Sequence, residues 1–294
     1  MKTSTISGIR EVLKSFKIVP EKRFGQHFLI DKNILKILID TAELTNTDLV
    51  VEIGAGLGIV TEQLLEYAKE VIAIEQDRHM FAFLEEQFRN QSNLKLICAD
   101  ARNIEISGEM LPAVEITDNT IRGITKLVAN LPYSIASRIL VNLVSVCIPV
   151  SMAVITVQLE VAERIKAYPG SKEFSFLSLA IQSVYDVRIV KRISASCFYP
   201  EPNVRSAIIK LVRHENLLAL KERQAIWGLA KKAFMHRRKQ LAGMLVKWYG
   251  EQGIDMATAH RLLKKAGVSE QARPEQLGVA EWHKLMCLLR TLTC

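Results

Sequence analysis

Short apolar runs rich in β-branched residues alternate with segments of helical periodicity along the first half of the chain. The runs at 49–53, 71–75, 94–98, 127–130 and 153–158 are typical of buried strands. Between them, apolar residues recur every three or four positions at 59–67, 80–88 and 137–146, which predicts helices. This alternation predicts an α/β fold in which a parallel sheet carries helices on both faces, a Rossmann-like arrangement.

The pattern changes near residue 213. Before that point the sequence predicts helices at 161–167 and 174–183 and strands at 185–192 and 206–212. After it, only helical spacing is found, at 217–244, 257–266 and 281–292. We therefore predict two domains: an α/β domain over 1–213 and a small all-helical domain over 214–294.

Composition narrows the class of protein. The 294 residues are 49% hydrophobic and 24% charged, as in soluble globular proteins. The longest apolar tract, 143–159, is interrupted by Pro149 and several polar residues, which predicts a helix end, a turn and a strand rather than a membrane span. The five cysteines are scattered without metal-ligand spacing. A reduced, cytoplasmic protein without a metal site is the simplest interpretation.

The net charge of +8 is concentrated at the two ends of the chain. Residues 214–294 carry 14 Lys and Arg against 7 Asp and Glu, and residues 1–36 carry 8 against 3. A polyanionic partner fits this distribution, and nucleic acid is the obvious candidate. A solvated basic surface explains the charge alone equally well.

A glycine-rich turn follows the first strand, in "VVEIGAGLGIVTEQL". Gly54, Gly56 and Gly58 allow a tight turn and a close approach of the backbone to a ligand. A dinucleotide fingerprint requires its third glycine at position 59, where this chain has Ile59. The turn therefore predicts a nucleotide-like ligand other than NAD.

Acidic residues end the next two strands, Glu75 in "VIAIE" and Asp100 in "LKLICAD". A carboxylate at Glu75 can accept hydrogen bonds from both hydroxyls of a ribose, and one at Asp100 can accept from the exocyclic amine of an adenine. Polar groups at the carboxyl ends of neighbouring strands form a binding crevice in an open α/β sheet. S-adenosylmethionine, which contains both groups, fits this pattern better than NAD.

The fourth strand ends in "NLPY", residues 130–133. Adenine N6 is a poor nucleophile, and acceptors at the Asn130 side-chain oxygen and the Leu131 carbonyl can orient its two N–H groups toward a methyl donor. Pro132 restricts the backbone, and Tyr133 offers a face on which a flipped base can stack. Without the upstream glycine turn, a strand-terminating turn with a buried Tyr is the favoured interpretation.

Taken together, these segments resemble the ribosomal RNA adenine N6,N6-dimethyltransferases of the KsgA and Erm type. The resemblance covers nearly the whole chain and is carried by an ordered set of motifs: "KRFGQHFLID" at 22–31, "EIGAGLG" at 52–58, "IEQD" at 74–77, "CAD" at 98–100, "NLPYSI" at 130–135, "FYPEPNVRSAIIKL" at 198–211 and "AFMHRRKQL" at 233–241. The "FYPEPNV" stretch and the helical tail are more similar to the small-subunit, KsgA-type members than to the Erm branch, which confers antibiotic resistance.

The resemblance implies functional residues at matching positions. It implies that Gln26, His27 and Leu29 contact the cofactor with Gly54, Gly56, Glu75, Asp100 and Asn130. Without it, 22–29 is only a basic, aromatic-containing segment, with Lys22 and Arg23 as candidate RNA contacts, before a helix starting near Asp31. It also implies that Phe198 stacks on the target base opposite Tyr133; a core aromatic ahead of the 200–202 turn is the alternative.

Some positions depart from the family pattern. Ala55 stands where many members have Pro, His27 where others have Asn, and Arg205 where Asp is usual. The stretch 106–125 is also longer than expected before the fourth strand. None of these differences removes a proposed chemical group.

The basic tail "KKAFMHRRKQL" is predicted to form one amphipathic helix. At helical spacing, Lys231 would share a face with Arg238, and Lys232 the neighbouring face with Lys239, while Arg237 adds to this cationic side. Ala230, Phe234, Leu241 and Leu245 would supply the buried stripe. We expect the cations to hold ribosomal RNA phosphates, with a merely solvated face as the alternative.

The sequence therefore predicts a cytoplasmic, monomeric enzyme that uses S-adenosylmethionine to dimethylate adenines in small-subunit ribosomal RNA during ribosome biogenesis. Two alternatives stay open: methylation of large-subunit ribosomal RNA, and a ribosome assembly factor that binds RNA without turnover. The intact residues Asn130, Pro132 and Tyr133 argue against the second.

Overall fold

A computed structural model describes residues 5–19, 26–108, 115–117 and 120–293 of the chain. Its strands are β1 (Phe28–Leu29), β2 (Leu49–Ile53), β3 (Glu70–Glu75), β4 (Leu94–Cys98), β5 (Glu105–Ile106), β6 (Glu115–Thr117), β7 (Thr120–Arg122), β8 (Lys126–Asn130), β9 (Met152–Gln158), β10 (Tyr185–Ile193), β11 (Phe198–Tyr199) and β12 (Ser206–Arg213). Its helices are α1 (Ile6–Ser15), α2 (Lys32–Ala42), α3 (Ile59–Tyr67), α4 (Arg78–Gln87), α5 (Ala136–Val144), α6 (Leu159–Lys166), α7 (Phe176–Gln182), α8 (Leu220–Phe234), α9 (Leu241–Tyr249), α10 (Met256–Ala266) and α11 (Val279–Thr293).

Seven strands form the central sheet, in the order β10-β12-β9-β8-β2-β3-β4. The strands from β9 to β4 pair in parallel, whereas β12 runs antiparallel to β9, so the sheet is mixed rather than purely parallel. The predicted α/β class is confirmed. Strand order reverses between β2 and β8, and such a switch point is where open α/β sheets place their ligand.

The chain forms two compact units. The first consists of 1–162 and 186–213, and the second of 163–185 and 214–294. The proposed boundary at 213 coincides with one crossing between the units, but residues 163–185 join the helical unit instead of the α/β unit. Local periodicity could not reveal this, because it says nothing about the partner against which a helix packs.

The core of the first unit lies against the sheet and α2 and α3. Leu38, Val50, Leu64, Val71 and Val128 are fully buried in one cluster. Asp31 starts α2 by accepting hydrogen bonds from the backbone N–H groups of residues 33 and 34, as an N-cap does. The helix predicted to begin near Asp31 is therefore confirmed.

The long insertion at 106–125 contributes to a small separate sheet. Strands β5, β7 and β6 are adjacent in that order, with β5 parallel and β6 antiparallel to β7. Residues 109–114 and 118–119 within it lie outside the described residues. The insertion thus adds local structure before β8 without interrupting the central sheet.

The second unit has its own aromatic core. The rings of Phe174 and Trp282, both fully buried, flank that of Phe234 at centroid distances of 6.3 and 6.5 Å.

Of the helices that the structure describes, none is both long and apolar enough to cross a membrane.

The segment 217–244, which has helical spacing throughout, does not form one helix, because α8 ends at Phe234 and α9 begins at Leu241. Residues 235–239 form turns in which the backbone N–H groups of His236 and Lys239 bond to carbonyls three residues earlier. The N–H of Leu241 bonds instead to the Ala272 carbonyl, 2.8 Å away, so a new helix starts there. Ala230, Leu241 and Leu245 are nevertheless fully buried, as predicted.

Candidate functional site

The glycine turn between β2 and α3 forms the floor of a cleft. Gly54, Gly56 and Gly58 all have positive φ, at 76°, 58° and 72°. A Cβ at Gly54 would lie 2.9 Å from the Pro132 ring, and one at Gly56 would lie 3.3 Å from the Phe28 ring. Glycine is therefore required here by both backbone conformation and space.

Glu75 closes β3 beside this turn and is only 5% exposed. Its Oε2 accepts a hydrogen bond from the Gly56 N–H at 2.8 Å, and its Oε1 accepts one from the Asp77 N–H at 2.9 Å. Burial raises the pKa of this carboxyl. The two backbone bonds fix the carboxyl group, and each oxygen retains a lone pair for a ligand hydroxyl.

Glu52, on the neighbouring strand β2, is a second buried acid at the cleft. It is 1% exposed, and its Oε2 accepts a hydrogen bond from the Thr61 hydroxyl at 2.6 Å. Burial, reinforced by the nearby charge of Glu75, raises its pKa to about 8. In the sequence, Glu52 is distinguished only as the first residue of the motif at 52–58, because nothing there marks a carboxyl as buried.

The glycine turn and the ends of β2, β3 and β8 line one cleft. Every predicted cofactor residue except Asp100 lines it: Gln26, His27, Leu29, Gly54, Gly56, Glu75 and Asn130. The apolar side chains of Phe28, Leu57 and Met80 complete the wall, and sequence reasoning missed all three. They occupy positions where an apolar side chain looks like ordinary core.

Asp100 does not line the cleft, although Ala99 and Ala101 on either side of it do. Both carboxylate oxygens are bound by the Arg102 guanidinium, at distances between 2.6 and 3.0 Å. Arg102 also lowers the pKa of this carboxyl. For Asp100 to accept from an adenine amine, as the sequence predicts, this ion pair must open.

Asn130 ends β8 at the switch point of the sheet. Its side-chain N–H donates to the His27 carbonyl at 2.9 Å, which fixes the direction of the amide. The opposite atom, Oδ1, is buried and has no hydrogen-bond partner among the described residues. An unsatisfied buried acceptor is costly, so this oxygen is poised for a donor supplied by a ligand.

The three residues after Asn130 fix the edge of the cleft. The Leu131 N–H donates to the Thr156 carbonyl at 3.2 Å, and the Pro132 ring packs on Gly54. Tyr133 is half-buried, and its hydroxyl is hydrogen-bonded to the Ser206 hydroxyl. Burial raises the pKa of the Tyr133 phenol. Nothing in the sequence pattern singles out Ser206.

Phe198 is buried in the core of the first unit. Its side chain is 2% exposed and packs in the hydrophobic cluster that contains Leu29 and Ile193. In β11 it is paired with Leu29 of β1, so backbone pairing and core packing both hold it away from solvent. This packing matches the alternative, a core aromatic, and base stacking by Phe198 stays a prediction.

The predicted RNA-binding residues divide into three groups. Lys22 and Arg23 lie outside the described residues. Lys231 is exposed on α8, and Arg238 and Lys239 are exposed on the α8–α9 connection. Because that connection is not helical, the predicted shared faces of these cations are wrong.

The third group, Lys232 and Arg237, is engaged within the second unit. The Lys232 ammonium lies 4.5 Å from the centroid of the Trp248 ring, a cation–π contact. The Arg237 guanidinium donates to the Ser171 carbonyl at 3.1 Å and lies 3.8 Å from the Glu275 carboxylate. Arg237 therefore joins three segments of its own unit.

Comparison with known proteins shows which family shares these motifs. The family model described as "Ribosomal RNA adenine dimethylase" matches residues 20–285. The chain belongs to the ribosomal RNA adenine dimethylase family. The resemblance carried by the motifs at 22–31, 52–58 and 130–135 is thereby confirmed.

Curated members of this family match along almost their full length. A "Ribosomal RNA small subunit methyltransferase A" of Streptococcus thermophilus (strain CNRZ 1066) is 35% identical over 291 residues, which cover 99% of each chain. The protein of the same name from Lactococcus lactis subsp. lactis (strain IL1403) is 36% identical over 287 residues, covering 96% of this chain and 94% of the relative.

Solved structures share the fold of this chain. A dimethyladenosine transferase from Plasmodium falciparum superposes with a TM-score of 0.72 at 25% identity, covering 90% of this chain and 98% of that one. The 23S rRNA methyltransferase ErmE superposes with a TM-score of 0.67 at 23% identity, covering 90% and 99%. At that identity, the second match shows the fold alone.

Proposed function

We propose that this chain is an S-adenosylmethionine-dependent enzyme that dimethylates N6 of adenines in small-subunit ribosomal RNA. The observation that carries the proposal is the Asn130 amide, whose Oδ1 is buried, directed by His27 and unpartnered among the described residues. An amino group in the cleft is the donor that this acceptor lacks. The names of the 35–36% identical relatives support the same substrate.

The cleft residues fit the cofactor. The fixed carboxyl of Glu75 suits a pair of ribose hydroxyls, and the glycine turn allows the ligand to approach the backbone closely. Leu57, Met80 and Phe28 offer apolar contact for a base. When bound, S-adenosylmethionine supplies an electrophilic methyl group on a sulfonium.

Asn130 orients the nucleophile. Its Oδ1 accepts one N–H of the target amino group, and the Leu131 carbonyl is proposed to accept the other. Both oxygens then face the nitrogen as it gains positive charge, which stabilises the transition state and aligns the lone pair. No strong base is needed, because the methylated ammonium is acidic and releases its proton afterwards.

A second methyl transfer imposes a further demand on the site. After the first transfer the amino nitrogen retains one N–H, so one of the two acceptors loses its donor. The nitrogen must then rotate about the C6–N6 bond to present its lone pair again. We expect dimethyladenine as the end product, with monomethyladenine as an intermediate in time courses.

The second unit is proposed to dock the RNA. Lys231, Arg238 and Lys239 are exposed cations available for phosphates. Arg237 and Lys232 contribute mainly by holding their own unit together, since their side chains are already engaged. In this proposal the enzyme acts on the small subunit, as a monomer, in the cytoplasm.

Two other functions have weaker support. Methylation of large-subunit RNA has the weaker support, because the likeness to the 23S rRNA methyltransferase is one of fold alone. An assembly factor without turnover has no need for an unsatisfied acceptor at Asn130, so the site argues against it.

Methyl transfer to purified ribosomal subunits tests the proposed function. Small and large subunits lacking adenine methylation are incubated separately with the protein and labelled S-adenosylmethionine, and nucleosides are identified by mass. We expect dimethyladenine from small subunits and none from large subunits. Label only in large-subunit RNA would favour the Erm-type alternative, and cofactor binding without any transfer would favour the assembly factor.

A further inference from the structure

The Tyr133 side chain is tethered at its far end. Its hydroxyl is hydrogen-bonded to Oγ of Ser206, a fully buried residue at the start of β12. In the β12–β9 register, Ser206 lies opposite Gln158, two positions along β9 from Thr156. Thr156 in turn lies opposite Asn130 on β8. The residue that binds the Tyr133 hydroxyl therefore lies in the same sheet as Asn130, two strands away.

The ring of Tyr133 is also bounded on its side. The His27 imidazole lies 5.2 Å from it between centroids, with an angle of 31° between the planes. His27 is itself held by a 2.6 Å hydrogen bond between its Nδ1 and the Pro200 carbonyl. Because the His27 carbonyl also orients the Asn130 amide, Tyr133 and Asn130 share one rigid frame.

We propose that Ser206 is a positioning residue for methyl transfer, whose hydroxyl fixes the Tyr133 ring relative to Asn130. This inference rests on the proposed function and on the expectation from the sequence that the target adenine stacks on Tyr133. Ser206 does not touch the reacting atoms; it acts through Tyr133 alone.

The physical reason is the coupling between stacking and hydrogen bonding. A base that stacks on Tyr133 must at the same time place its amino group on the Asn130 oxygen. The Tyr133 oxygen lies on the axis of the χ2 torsion, so its bond to Ser206 fixes where the far end of the ring lies and leaves rotation about that axis to the neighbouring His27 ring. Without the bond, the ring can swing sideways about the bonds nearer the backbone. A base that follows a displaced ring loses its alignment with Asn130, and a displacement of about 1 Å can lower a reaction rate by about 100-fold.

A merely structural role makes a different prediction. If the bond served only to pair the two hydroxyls, its loss would lower stability and would weaken every property of the folded site together. A positioning role lowers the transfer rate at saturating substrate and leaves cofactor affinity and melting temperature near those of the parent. Kinetics and binding measured on the same variants separate the two.

The experiment is a double-mutant cycle on the full chain. Ser206→Ala and Tyr133→Phe each remove the same hydrogen bond, while the Phe variant keeps the aromatic face. We expect each single variant to lower the single-turnover rate of methyl transfer to small subunits about tenfold. The double variant should be no slower than the slower single variant, because both changes break one interaction. Ser196→Ala, at an exposed serine of the preceding segment, is the matched control and should keep the parental rate.

Three results would overturn the inference. The first is a parental rate for Ser206→Ala in an active preparation, and the second is a pair of effects that multiply in the double variant. The third is a loss of rate that is matched by equal losses of cofactor affinity, measured by calorimetry, and of melting temperature. Absence of transfer by the parent chain itself would instead remove the proposed function, and this inference with it.

Discussion

Gly54 and Pro132 approach so closely that no side chain fits between them. A Cβ on Gly54 would lie 2.9 Å from both Cγ and Cδ of Pro132, and the φ of 76° at Gly54 is itself unfavourable for other residues. The contact joins the end of β2 to the end of β8 across the switch point of the sheet. The cofactor turn and the substrate motif are thus packed directly on each other.

Replacing Gly54 by Ala should therefore damage both halves of the site. We expect Gly54→Ala to destabilise the fold by about 1–3 kcal/mol, as overpacking does, and to weaken S-adenosylmethionine binding. Gly243→Ala is the matched control, since Gly243 lies in α9 with open space around its Cβ position. The control should be neutral or slightly stabilising in thermal melts. Equal stability and affinity of the two variants would contradict the packing argument.

The buried acid Glu52 should make stability depend on pH. Its pKa is about 8 in the folded chain and near its ordinary value of 4.5 when unfolded, so between these values the folded state binds the extra proton. Stability from this group is complete below about pH 4.5 and is lost as the pH rises through about 8. Each unit of pKa difference corresponds to roughly 1.4 kcal/mol.

Glu52→Gln removes this titration while keeping an oxygen for the Thr61 hydroxyl. We expect the variant to melt at a higher temperature than the parent at pH 8, with the difference shrinking toward pH 5. Thermal melts at several pH values measure it. Parallel curves for variant and parent would show that Glu52 does not titrate in this range.

Loss of the Asn130 amide should affect chemistry more than binding. We expect Asn130→Ala to lower the single-turnover rate of methyl transfer by about two orders of magnitude, with little change in affinity for the small subunit. Asn90→Ala, at an exposed position after α4, is the control for an amide outside the site. An Asn130→Ala variant with the parental rate would remove this residue from the mechanism.

The ion pair between Arg102 and Asp100 should compete with the cofactor. If Asp100 accepts the adenine amine, Arg102→Ala frees its carboxylate, and S-adenosylmethionine should bind about two- to fivefold more tightly, as expected for release of an exposed ion pair. Calorimetry at low and high salt measures this, because salt should reduce the gain. An unchanged affinity would mean that Asp100 does not reach the cofactor.

Loss of Arg237 should lower stability, whereas loss of its neighbours Arg238 and Lys239 should weaken RNA binding. The Arg238→Gln, Lys239→Gln double variant should bind small subunits more weakly, with a shallower salt dependence, and should melt like the parent. Arg237→Gln should instead lower the melting temperature, because it removes the contacts to Ser171 and Glu275. The opposite division of effects between the two variants would reverse the roles assigned to them.

Sequence patterns predicted the strands and helices around the cleft closely. The strands at 49–53 and 94–98 have the predicted bounds, since their apolar runs are flanked by clear turn residues. The helical spacing at 217–244 is interrupted in the structure for a reason that periodicity cannot detect. The break is set by a backbone bond from Leu241 to Ala272, which is distant in sequence.

The sequence predicted most polar residues of the site but not the groups with which they form hydrogen bonds and ion pairs. Glu75 and Asn130 were found from strand ends and motif spacing. Two features depend on side-chain directions that the sequence does not specify. These are the ion pair between Asp100 and Arg102 and the burial of Phe198. No sequence pattern indicates the roles of Ser206 and the His27 carbonyl, because neither a single serine nor a main-chain oxygen forms a recognisable motif.

The bond between the Asn130 amide and the His27 carbonyl joins residues 103 positions apart. An amide is nearly symmetric in shape, and only this carbonyl distinguishes its two ends, since it repels oxygen and attracts N–H. Which end of the Asn130 amide serves as the acceptor is thus set by the main chain of a distant segment and not by Asn130 itself. Isolated from that segment, the same side chain would turn over freely and present a donor as often as an acceptor.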